Sequence, residues 1–147
     1  MISKELWGII IGGLLPAVLW ALSSVFAKYG NLAGIGNALY VITLGIAVFI
    51  SGLILYLFVP DRTVSYRGIV YTAIAGACWA FGTALFALAL TKYGIPLSKL
   101  VPLNNTSTLF AIIIGLWAFS EWQQVNSIRL IFGASLILFG SIIVSKS

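Results

Sequence analysis

The chemistry open to this chain rests on a short set of polar residues. The most polar run inside any long apolar stretch is Asn104-Asn105-Thr106-Ser107-Thr108. Its amides and hydroxyls donate and accept hydrogen bonds but are uncharged. They suit contact with a neutral polar solute, not proton transfer. A weaker group runs through Pro16, Trp20, Ser23 and Ala27, at steps of 4, 3 and 4. That spacing puts a proline kink, an aromatic and a hydroxyl on one side of a helix. Trp79 is a second aromatic of the same kind, able to wall a pocket or simply to pack.

Other chemistries lack their residues. There is no His, and Asp+Glu totals 3. Glu5, Asp61 and Glu121 all fall outside the middle of the apolar stretches. Intramembrane carboxylates are the usual proton carriers of pumps and exchangers, so no proton relay is visible. Glu121, beside Trp122, is poorly placed for one. Cys78 is the single cysteine, which permits no internal disulfide and no cysteine-rich metal site. Acid–base, metal and nucleophilic constellations are therefore missing, and neither an enzyme nor a bound cofactor is expected.

The elements that position these residues follow from composition. Of 147 residues, 61% are hydrophobic and 7% charged, against about 25% charged in a soluble domain. Mean hydropathy is +1.13. The chain reads as an all-α polytopic membrane protein. The net charge of +5 comes from cations scattered singly, so no basic patch for nucleic acid forms. A helix needs about 20 apolar residues to cross the hydrocarbon core. The charge-free runs predict five spans, at about 6–27, 37–59, 68–91, 97–120 and 126–144. Gly30 to Asn37 reads as a turn, Pro60 and Asp61 as a stop, and Gly94 with Pro96 as a stop and restart. Trp7, Tyr66, Tyr93, Trp117 and Trp122 lie near span ends, where interfacial anchors belong. The first run is too long for a signal peptide core and reads as a retained span. The loops leave no room for a second domain, so residues 1–147 form a single membrane domain.

An odd span count puts the two ends on opposite sides. Lys4, Arg62, Arg67 and Arg129 then share one side, and Lys28, Lys92, Lys99 and Lys146 the other. Orientation follows the Lys and Arg bias, and here four stand against four. Either one loop, such as that of Arg62 and Arg67, decides a single orientation, or copies insert both ways. In the second case two copies would assemble as an antiparallel pair, the inverted symmetry that many transporters carry within one chain.

Small residues mark expected packing faces. Gly8 and Gly12 form a GxxxG pair, Gly45 and Gly52 a seven-residue pair, and Gly133 and Gly140 another. Residues 68–91 carry Ala73, Gly76, Ala80, Thr83 and Ala87 on one face. Close helix packing is expected along all of these. In the fourth span Pro102 interrupts early, and Asn104, Thr108, Ala111, Gly115 and Ala118 form a polar-to-small stripe. Polar groups at that depth should face protein or a water-filled cavity. Asn104 and Thr108 either line a solute cavity or bond a neighbouring helix and cap the Pro102 break. Asn105 shares the same alternatives.

In these motifs the chain resembles the drug/metabolite transporter superfamily in its EamA-type form. The resemblance covers residues 68–144, roughly half the chain, and rests on residue order and spacing. It runs through Trp79-Ala80-Phe81-Gly82, Gly94, Ser98-Lys99, Pro102, Gly115, Phe119-Ser120-Glu121-Trp122, and Gly133 with Gly140. The Trp-Ala-x-Gly and Phe-x-Glu-Trp elements look most like the glucose/ribose porter branch. The resemblance implies one five-helix half-repeat of a ten-helix transporter fold. Thr108 stands where many such repeats carry a proline, and Leu14, Leu15 and Pro16 occupy the stretch where small multidrug exporters carry a glutamate.

The expected function is transport of a small polar or amphipathic metabolite across the plasma (inner) membrane. A single half should need an antiparallel second copy or a homologous five-helix partner. The expected substrate contacts are Asn104, Thr108, Asn105, Trp20, Trp79 and Ser23. The alternative is a non-transporting membrane subunit that assists assembly or regulation of a larger complex.

Overall fold

The computed structural model describes residues 4–60, 62–123 and 125–146. Among the described residues every regular element is helical. Five helical stretches are long and apolar enough to cross a membrane: Leu6–Leu32, Asn37–Phe58, Tyr66–Thr91, Leu97–Ala118 and Ile128–Lys146. The chain is an all-α, multi-pass membrane protein.

The first stretch comprises α1 (Lys4–Ile9), a π turn (Ile10–Leu14) and α2 (Leu15–Leu32). It runs five residues beyond the expected end at 27. Lys28 does not stop it, because a lysine stem can carry its charge along the helix to the interface. Gly30 and Asn31, expected in a turn, complete the last turn of α2. The connection shrinks to residues 33–36, and Gly34 at φ +88° takes the left-handed conformation that glycine tolerates best.

Helix α3 spans Asn37–Phe58 and stops before Pro60. Asp61, expected to help close it, lies outside the described residues. Helix α4 (Tyr66–Thr91) starts two residues before the expected 68. Ser65 sets that start, its hydroxyl oxygen accepting from the backbone N–H of Gly68 at 3.2 Å. The fourth span is α5 (Leu97–Asn104) and α6 (Ser107–Ala118). A short 3-10 turn, Glu121–Gln123, precedes α7 (Ser127–Lys146). Asn126 caps α7, its side-chain oxygen accepting from the N–H of Arg129 at 3.1 Å.

The chain divides into two compact units at Gly94–Ile95. In the first, α4 packs against α2 and α3. The covered positions gather at one end: Ser24, Ala27 and Asn31 on α2, Asn37, Tyr40 and Leu44 on α3, and Ala80 to Leu90 on α4, broken at exposed Phe81, Gly82 and Leu85. Ala87 is fully enclosed there, at 0% exposure. The other end is bare, with residues 45–58 and 66–79 exposed throughout. In the second unit α5 and α6 pack against α7, and Leu116, Ala134 and Ser141 are buried.

The glycines do not pack as expected. At Gly8, Gly12, Gly45, Gly52, Gly133 and Gly140 an added Cβ would meet no neighbouring heavy atom within 4 Å. Burial falls instead on Tyr40, Ala87, Leu116, Ala134 and Ser141. The small face on α4 is covered only from Ala80 onward, while Ala73 and Gly76 are exposed.

Candidate functional site

The fourth span breaks where its polar run begins. Pro102 sits inside α5 and supplies no N–H to the helix. Two residues beyond α5's last carbonyl turn, Thr106 makes a tighter bend, its N–H donating to the carbonyl of Leu103 at 3.0 Å. The Thr106 hydroxyl donates to the same carbonyl at 2.7 Å. A hydroxyl that captures a backbone carbonyl competes with the helical ladder. The chain then resumes as α6 at Ser107. The break falls near the middle of the span, because Asn105 and Thr106 are the ninth and tenth of its 22 residues.

The stripe expected to meet protein is not covered within its own unit. Asn104, Asn105, Thr108 and Ala111 are exposed. Among the described residues no side-chain hydrogen bond satisfies the amides of Asn104 and Asn105 or the hydroxyl of Thr108. The buried side of α6 is the apolar one: Leu109, Ile112 and Leu116, at steps of 3 and 4. Helix α6 therefore holds its unit with the apolar face and turns the polar stripe outward. In the middle of a span, polar groups so placed need a partner from protein or water.

The other expected contacts lie in the first unit. Trp20 and Ser23 on α2 and Trp79 on α4 are exposed, the two tryptophans at 71% and 51%. Trp20 lies twelve residues before the end of α2 at Leu32, and Trp79 twelve before the end of α4 at Thr91. Each stands about 18 Å from the end of its helix, at 1.5 Å per residue, just short of the covered stretch that begins at Ser24 on α2 and Ala80 on α4. Ser23 lies one residue off the covered α2 stripe. Ser24 occupies that stripe, and its hydroxyl donates to the carbonyl of Trp20 at 3.0 Å.

Sequence reasoning passed over a polar cluster at the covered end. The Thr91 hydroxyl donates to the Ala87 carbonyl at 2.9 Å and stands 3.5 Å from Oδ1 of Asn37. Asn31 shares this end, and both its amide atoms are sealed from solvent with no hydrogen-bond partner. An unsatisfied buried polar group costs about 1–3 kcal/mol. The signal was present in the spacing Ser24, Ala27, Asn31, but Asn31 next to Gly30 also reads as a turn. At the bare end, an open groove of about 490 Å³ runs past Thr63, Ser65, Ile69 and Thr72 and includes none of the expected residues. The Arg62 guanidinium lies over the ring of Tyr56, 4.9 Å from its centroid.

Among the described residues no group of three His, Cys, Asp or Glu side chains stands together. Comparison with known proteins finds no matching family model, curated protein or solved structure.

Proposed function

We propose that the chain is one five-helix half of a transporter for a small neutral or amphipathic metabolite. It would act in the plasma membrane, paired with an antiparallel copy of itself or a homologous half, in the manner of EamA-type drug/metabolite transporters. One observation carries the reading. The fourth span is discontinuous near its middle, and the polar stripe at the break, Asn104, Asn105 and Thr108, is left uncovered within its own unit. Discontinuous helices near the midplane are where secondary transporters place their substrate sites. A partner half facing this stripe would enclose amides and a hydroxyl in a cavity, matched to a solute with its own hydroxyls.

The test is uptake by proteoliposomes containing the purified chain. Radiolabelled neutral sugars, amino acids and hydrophobic amines are offered in turn. The reading expects saturable uptake of one class, lost in Asn104→Leu at unchanged protein level. Uptake by Asn104→Leu at the parent rate would remove the stripe from the site. Obligate co-purification with a larger membrane protein, without uptake, would favour an accessory subunit.

A further inference from the structure

The polar cluster at the covered end of the first unit is incompletely bonded on both sides. Asn31 has its amide nitrogen and oxygen enclosed and unpaired. Across the four-residue connection 33–36, Oδ1 of Asn37 receives the Thr91 hydroxyl at 3.5 Å, the outer edge of a hydrogen bond. The Thr91 proton has a shorter acceptor, the Ala87 carbonyl at 2.9 Å. An idle donor on α2 and an under-used acceptor on α3 thus flank one turn. The backbone between them is permissive, with Gly34 at φ +88° and Gly36 at the start of α3.

We infer that Asn31 and Asn37 are the two halves of a polar latch, and that the first unit has a second conformation in which it closes. In that state the Asn31 amide donates to Oδ1 of Asn37 and draws the end of α2 onto α3 and α4. The state described here is the unlatched one, in which the Asn31 amide remains enclosed without a bond. Sealed atoms admit no solute without a movement, so a change in helix contact, not ligand entry, is what resolves the imbalance. The latch is a property of this unit and does not rest on the transport reading.

Two spin labels test it. Cysteines replace exposed Tyr29 at the end of α2 and exposed Lys92 just beyond α4, in a Cys78→Ser background, with the full chain in lipid nanodiscs. Pulsed electron–electron distance measurement should show two populations in the parent. Asn31→Leu, close to Asn in shape, should remove the shorter one, and Asn37→Leu should do the same. A single distance in the parent would overturn the latch. So would a short component that survives Asn31→Leu.

Discussion

The hydroxyl of Thr91, on the last turn of α4, stands 3.5 Å from the side-chain oxygen of Asn37, on the first turn of α3. The two residues are 54 positions apart, and their approach ties the start of one span to the end of the next. The same hydroxyl also returns to its own helix at Ala87. Thr91→Val keeps the shape and removes both interactions, together with a 3.4 Å approach to the Leu88 carbonyl. The expected loss is about 0.6 kcal/mol, the average for polar pairs between membrane helices. Thermal unfolding in detergent checks it, and a loss above about 2 kcal/mol would mean that the residue does more than this.

Thr106 holds the fourth span open by occupying the Leu103 carbonyl twice, through its N–H and its hydroxyl. Thr106→Ala frees one of those interactions. The ladder between α5 and α6 should tighten, with amide exchange at Asn105 to Thr108 slowed about fivefold, the equivalent of roughly 1 kcal/mol. Hydrogen exchange read by mass spectrometry decides it. Unchanged exchange would assign the break to Pro102 alone.

Ser120 adopts φ +54°, the left-handed region, just after α6. A side chain there costs about 1–2 kcal/mol, partly offset in glycine by its greater freedom in the unfolded chain. Ser120→Gly should therefore raise stability by about 0.5–1 kcal/mol. A lower thermal midpoint in this variant would show that the serine side chain has a role of its own.

Lys and Arg divide evenly between the two predicted sides. If copies insert both ways, a reporter active only outside the membrane and one active only inside should both signal when fused after Ser147. Signal from one alone would exclude an antiparallel self-pair. It would point instead to a homologous partner of opposite orientation or to a parallel assembly without inverted symmetry, and would favour the accessory-subunit reading.

The spans were legible because charge and proline are expensive in a bilayer, and the sequence spaces them at membrane thickness. Boundaries were read less well where a residue has two uses. Lys28 looked like an end, yet its long stem lets the helix pass. Asn31 looked like a turn residue, yet it completes a helix and faces inward. The break in the fourth span was half visible: Pro102 pointed to it, but the bend forms at Thr106, through a hydroxyl that spacing does not distinguish from its neighbours. The glycine pairs misled for a plainer reason. A small residue lets a neighbour come close but does not say whether that neighbour belongs to the same chain, another chain or the lipid. The candidate stripe was identified in advance by residue type. Its outward aim was not, because polar and apolar faces can each serve as the one that holds the bundle.

The π turn at Ile10–Leu14 closes with the N–H of Leu15 on the carbonyl of Ile10, one residue further than an α-helical bond. Each residue advances an α-helix by about 100°, so the extra one rotates everything after Leu14 relative to everything before Ile10. The first span therefore has two azimuths. Whatever meets Trp7 and Gly8 at its start is offset by about a quarter-turn from whatever meets Trp20 further along. Deleting one residue within 10–14 would bring the two segments into a common phase and redirect one of them to a different neighbour.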